Sequence, residues 1–167
     1  MRTILMLQSV LFVGIHLLFI CPTVSSADLI IKLESYIPLE KCEMSFSLFS
    51  NGSAKYQGRH CPERSIQIRR RLSIMEVESV QTMINQVQFC ELRDKYDAND
   101  NNDRFVVSDS ETLEITAYCG NTTKSVSVYG IKYILKADLD NNYHTDRVAA
   151  QRFDRLHHFV LELLNVK

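Results

Sequence analysis

Residues 44–58 read MSFSLFSNGSAKYQG, two alternating segments on either side of an Asn51-Gly52 step. Asn-Gly between alternating runs of apolar residues is the strongest short-range signal for a β-hairpin. Alternation with a period of two is typical of strands that bury one face. This stretch therefore predicts two antiparallel strands, and the rest of the fold is built outward from it.

Two registers of this hairpin differ in what they place opposite each other. A two-residue loop sets Cys42 directly across from Cys61, whereas a three-residue loop needs Gly52 in the left-handed conformation. The three-residue loop pairs Leu48 with Ala54 and Phe46 with Tyr56. We expect this second register, because it collects the apolar side chains on one face, and burial of one face is what fixes strand pairing.

Further strands are predicted on both sides of the hairpin. Alternation or short runs of branched residues occur at 29–34, 65–72, 112–118 and 124–129. In the first of these, Leu29, Ile31 and Leu33 share one face. The last two are joined by Gly120-Asn121-Thr122, which predicts a second hairpin.

Two helices are predicted. Ser73 followed by Glu76 forms a capping box, which marks a helix start. Apolar residues then recur at helical spacing in two stripes, the first at Val77, Val80, Met83, Ile84 and Val87, and the second at Val148, Phe153, Leu156, Phe159, Val160, Leu163 and Leu164. The sequence thus predicts one α+β domain, with a mostly antiparallel sheet of about five strands and two amphipathic helices.

The first 27 residues are typical of a cleavable signal peptide. Arg2 gives a positive start, residues 4–20 are mostly apolar, and Val24-Ser25-Ser26-Ala27 offers small residues for cleavage. The apolar stretch is interrupted by polar residues, which favours cleavage over a membrane anchor. We expect residues 1–27 to be removed, leaving residues 28–167 as a single domain, secreted or periplasmic, with no stable membrane anchor.

Charge indicates no nucleic-acid partner. The chain has 19 basic and 20 acidic side chains, and removal of the signal peptide takes away only the basic Arg2. A slightly negative domain has no general affinity for nucleic acid or for anionic membranes.

Four cysteines remain after cleavage: Cys42, Cys61, Cys90 and Cys119. An even number in an exported chain favours disulfides over free or catalytic thiols. Three pairings are open, and we expect Cys42 with Cys61 and Cys90 with Cys119.

Several short stretches resemble an uncharacterised family of small exported bacterial domains. They are Asn51-Gly52, Tyr56-Gln57-Gly58, residues 89–96 (FCELRDKY), Asp109 before the strand that holds Leu113 and Ile115, Gly120 and Tyr129-Gly130. The resemblance covers residues 29–139 and implies the fold and the envelope setting. That family has no assigned activity, so the resemblance implies no catalytic residue. This chain departs from the cysteine pattern of the family at Cys42.

The sequence offers two groups of candidate metal ligands. Asp97, Asn99, Asn101 and Asp103 resemble the start of a calcium loop, but its glycine and glutamate positions hold Asn102 and Ser108. His60, and the adjacent His157 and His158, could suggest zinc. Neighbouring side chains on a helix point about 100° apart, so we expect neither a metal nor another cofactor.

The basic surface of the third predicted strand is the candidate binding site. Arg64, Arg69, Arg70 and Arg71 lie there, and an acidic stretch follows from Glu91 to Glu111. No nucleophile elbow, phosphate loop or His-Glu-x-x-His motif occurs. The first hypothesis is therefore a non-enzymatic module that binds another protein in the exported compartment. The alternatives are a small ligand-binding domain or hydrolase with an unrecognised site, and a calcium-stabilised domain.

Overall fold

The computed structural model describes residues 27–60, 67–100, 107–136 and 144–163, without the side chains of 144 and 145. The strands are β1 (Leu29–Ile37), β2 (Cys42–Phe49), β3 (Ser53–Arg59), β4 (Gln67–Arg71), β5 (Lys95–Asp97), β6 (Thr112–Cys119) and β7 (Thr122–Tyr129). The α-helices are α1 (Ile74–Gln86), α2 (Ile131–Lys136) and α3 (His144–Leu163), and a 3-10 helix spans Phe89–Glu91. The predicted signal peptide lies outside the described residues, apart from Ala27.

All seven strands of this part of the chain form a single sheet in the order β4-β3-β2-β1-β6-β7-β5. Every neighbouring pair is antiparallel except β5 and β7, which run parallel. The predicted α+β class and the mostly antiparallel sheet are therefore confirmed. The expected count of about five strands was too low, and α2 is a third helix.

The first hairpin has the predicted three-residue register. Leu48 pairs with Ala54 and Phe46 pairs with Tyr56. Gly52 has a φ of +81°, in the left-handed region. The hairpin is also bonded to the start of α1, because the Leu72 N–H donates to the Gly52 carbonyl at 2.8 Å.

The predicted capping box starts α1. The Glu76 N–H donates to Ser73 Oγ at 3.3 Å, and the Ser73 N–H donates to Glu76 Oε2 at 2.7 Å. The Ser73 N–H and the Ser73 hydroxyl both donate to the Glu76 carboxylate, and these two hydrogen bonds lower the pKa of that carboxyl. The two partners satisfy backbone donors that have no acceptor within the helix, so the helix begins at Ile74.

One face of the sheet packs against the helices to form the core. The fully buried residues of the sheet include Ile31, Leu48, Ala117, Val126 and Val128, and those of α1 and α3 include Val80, Ile84, Phe153, Leu156 and Val160. All belong to one connected apolar cluster. These packed residues of α1 and α3 therefore belong to the stripes predicted from helical spacing, and Leu164 of the second stripe lies outside the described residues.

A disulfide joins Cys90 to Cys119, as predicted. It links the 3-10 helix that follows α1 to the end of β6. Cys42 is also disulfide-bonded. Cys61 lies outside the described residues, so its pairing with Cys42 stays a prediction. No helix in the described part of the chain has the length and apolar character needed to cross a membrane.

Candidate functional site

The face of the sheet away from the core carries polar side chains. In β1 the residues that alternate with the buried ones are Lys32, Glu34 and Tyr36. On β2, β3 and β6, too, the residues that share this face are all partly or fully exposed. We call this surface of β1, β2, β3 and β6 the open face.

A cleft of about 490 Å³ lies on the open face. Its lining includes Glu34 and Tyr36 of β1, Glu43 and Ser45 of β2, Gln57 and Arg59 of β3, and Thr112 and Glu114 of β6. Strand register brings them together across four strands: Glu34 lies opposite both Ser45 and Glu114, and Glu43 lies opposite both Tyr36 and Arg59. We call this group the acidic cleft, because it holds three glutamates and one arginine.

The glutamates of the acidic cleft include a pair of like charges. Glu34 and Glu114 are direct cross-strand partners, and like charges in that position are destabilising. Lys32 Nζ lies 2.7 Å from Glu34 Oε2, but a pair this exposed contributes only about 0–1 kcal/mol. Tyr36 is 43% exposed at the same place. A cationic group bound here would relieve the repulsion between the carboxylates and could contact the aromatic ring.

The arginines of the predicted binding surface do not all have the same environment in the structure. Arg69 and Arg71 are exposed on β4, which is an edge strand. Arg70 instead bonds within the fold: its guanidinium donates to the Leu163 carbonyl at 2.7 Å and to Glu76 Oε1 at 2.9 Å. Arg70 therefore links β4 to α1 and α3, while Arg69 and Arg71 stay available to a partner. Arg64 lies outside the described residues.

A basic row borders the acidic cleft on the open face. Arg69 pairs with Lys55, and Ser47 lies between Lys55 and Lys32 in the strand register. The open face thus presents cations beside carboxylates. Sequence reasoning identified Arg69 but missed the cleft, although the alternation in β1 already placed Lys32, Glu34 and Tyr36 opposite the core.

In the described part of the proposed calcium loop, side chains form hydrogen bonds with backbone groups of the same loop. Asn99 Oδ1 accepts from the Val107 N–H at 2.7 Å, and Asn99 Nδ2 donates to the Val107 carbonyl at 3.1 Å. Asp97 accepts from the Asn99 N–H and pairs with Lys95 at 3.2 Å. These contacts give Asn99 a structural role in joining the two sides of the loop. Asn101 and Asp103 lie outside the described residues, so calcium binding stays a hypothesis.

The histidines of α3 have an acidic neighbour, Asp154, on the preceding helical turn. Asp154 Oδ1 lies 3.4 Å from His158 Nε2, one helical turn away. The rings of His157 and His158 have centroids 5.6 Å apart. Burial lowers the pKa of His157, and the charge of His158 lowers it further, while Asp154 acts in the opposite direction. His60 is exposed at the end of β3.

The lowered pKa of His157 predicts a loss of stability in acid. The unfolded chain binds a proton more readily than the folded chain, so the free energy of unfolding falls as the pH drops below the ordinary histidine value of about 6.5. Above that pH the contribution is fully present. In buffer with EDTA, His157→Gln should flatten the stability profile between about pH 7 and pH 5, measured by urea denaturation. A slope equal to that of the unsubstituted protein would contradict this account, and His60→Asn is the control.

No protein-family model matches the chain, and no curated protein matches its sequence. The resemblance to small exported bacterial domains therefore stays a prediction.

Proposed function

We propose that the chain is an exported, non-enzymatic module that binds another protein through the open face of its sheet. The observation that carries this proposal is the arrangement of the acidic cleft beside the basic row on a face of the sheet that none of the described helices covers. The cleft suits a lysine or arginine side chain of the partner, and Arg69 and Arg71 suit its carboxylates. Charges of both signs on one surface favour one partner orientation and speed the encounter.

Export is part of the same proposal. The signal-like residues 1–27 support it, and the Cys90–Cys119 disulfide is compatible with an oxidising compartment. The resemblance to envelope domains points the same way. In that setting a small domain is exposed to other envelope or secreted proteins, which are the expected partners.

The test is crosslinking of the oxidised protein in extract from the exported compartment, followed by mass identification of what is captured. Two variants address the surface, one with Arg69→Ser and Arg71→Ser, the other with Glu114→Gln. Arg155→Ser is the matched control, because Arg155 is exposed on α3 rather than on the sheet. Arg70 is left unchanged, since its loss would disturb the contacts to α1 and α3.

We expect one reproducible partner whose yield falls by about tenfold or more in both surface variants, the effect of losing one strong interface contact. The control should retain it. A partner captured equally by all the variants would place the interface elsewhere and contradict the open-face proposal. The absence of any partner would contradict the function itself.

A second candidate is a small ligand-binding domain, favoured by the size of the acidic cleft. Its volume lies within the range of about 300–1,000 Å³ that is usual for ligand sites. Titration with arginine amide, a small cation that carries no partner protein, separates the two candidates by affinity. A cleft that holds one side chain of a protein partner should bind the free cation no more tightly than about 1 mM, whereas micromolar binding that Glu114→Gln weakens supports the ligand site.

A further inference from the structure

Helix α3 carries three metal-ligating side chains at positions i, i+3 and i+4. These are Asp154, His157 and His158. Residues at this spacing lie on neighbouring positions of one helix face, even though two consecutive residues point about 100° apart. Asp154 lies one turn before the two histidines, so its carboxylate can reach the space between both rings.

The ligand atoms are already close to the separation that one metal ion needs. One ligand atom from each of the three side chains lies within 4.8 Å of the others. Zinc binds nitrogen and oxygen at about 2.0–2.2 Å in a tetrahedron, which places two ligand atoms roughly 3.3–3.6 Å apart. Asp154 Oδ1 and His158 Nε2 are at 3.4 Å. Small side-chain rotations would therefore complete the set, and the His158 side chain, 66% exposed, is free to make them.

We propose that Asp154, His157 and His158 form a binding site for a borderline divalent ion, with zinc as the first candidate. Two imidazoles and one carboxylate are a ligand set that zinc uses when three protein ligands leave a fourth position open. Imidazole nitrogen disfavours magnesium and calcium, which prefer oxygen ligands. The site lies on a helix, apart from the open face, and does not depend on the proposed partner.

The proposal is tested by calorimetric titration of the oxidised, tag-free protein with zinc chloride at neutral pH. A polyhistidine tag must be absent, because it would bind zinc itself. His158→Gln and Asp154→Asn each remove one ligand, and the exposure of the His158 side chain makes its variant fold as the parent does. His60→Asn removes an exposed histidine outside the site and is the matched control.

We expect binding of one zinc per chain, weakened about tenfold or more in both ligand variants and unchanged in the control. Loss of even an outer-shell partner of a metal ligand usually weakens affinity about 10–100-fold, so loss of a ligand should do at least as much. Zinc should also raise the unfolding temperature of the parent and of the control more than that of the ligand variants. The absence of stoichiometric binding, or equal binding by all the variants, would overturn the proposal.

Discussion

Replacing Gly52 with alanine is expected to lower the free energy of unfolding by roughly 2 to 5 kcal/mol. The φ of +81° costs an L-residue about 1–2 kcal/mol. A Cβ at this position would lie 2.4 Å from the Leu72 carbonyl oxygen, a backbone atom. The Leu72 N–H is bonded to the Gly52 carbonyl, so the two segments cannot separate without losing that hydrogen bond. Such overpacking adds about 1–3 kcal/mol.

Gly120 offers the matched control for this close approach. It has a φ of +73° in the second hairpin, but a Cβ there would meet nothing within 4 Å. Gly120→Ala should therefore cost only the backbone term of about 1–2 kcal/mol. Urea denaturation of both variants measures the difference. Equal losses in the two proteins would show that the contact between Gly52 and Leu72 carries no energetic cost and would contradict the packing described above.

Removal of the Cys90–Cys119 disulfide is the other large expected effect. Changing both cysteines to serine should lower the free energy of unfolding by about 2–4 kcal/mol, because the bond closes a loop with a sequence separation of 29 and restricts the unfolded chain. Cys90 is exposed and Cys119 is only partly buried against the core, so serine introduces no fully buried polar group and the effect comes mainly from the lost crosslink. Both residues are changed together to avoid a free thiol.

Guanidinium denaturation under non-reducing conditions measures this loss. The unsubstituted protein in dithiothreitol is the companion sample, and it should lose at least as much stability, since Cys42 is also disulfide-bonded. An unchanged midpoint in the double variant would mean that the unfolded chain is not restricted by the bond. Such a result would contradict the expectation.

Local features of the fold could be predicted because they depend on neighbouring residues. The register around Gly52 follows from a turn and from alternation within 15 residues, and the start of α1 follows from the Ser73–Glu76 pair. β5 was not predicted because Lys95–Asp97 has only three residues, too few to show the alternation that is typical of a strand. Its parallel pairing with β7 depends on a crossover that no local pattern reports. Helix α2, with six residues, is likewise too short to show a stripe.

The acidic cleft could not be predicted because it depends on strand order. Glu34, Glu43 and Glu114 lie on three strands, and the last is far from the others in the sequence. Glu114 meets the other two only because β6 pairs with β1, which no feature of the sequence specified. The different environments of Arg69, Arg70 and Arg71 could not be predicted either, because they depend on how distant parts of the chain pack. Whether Arg70 faces the helices depends on the register of β4 and on the position of the end of α3.

The central position of β1 affects how the chain folds while it is being synthesised. Leu33 pairs with Phe46, close in sequence, and also with Ile115, which is synthesised much later. A growing chain can form the β1 to β4 meander early, but one edge of β1 then stays unpaired until β6 emerges. Unpaired strand edges with apolar side chains associate with other chains. The incomplete polypeptide is thus the aggregation-prone species, and a factor that shields β1 until β6 is available would raise the yield of folded protein.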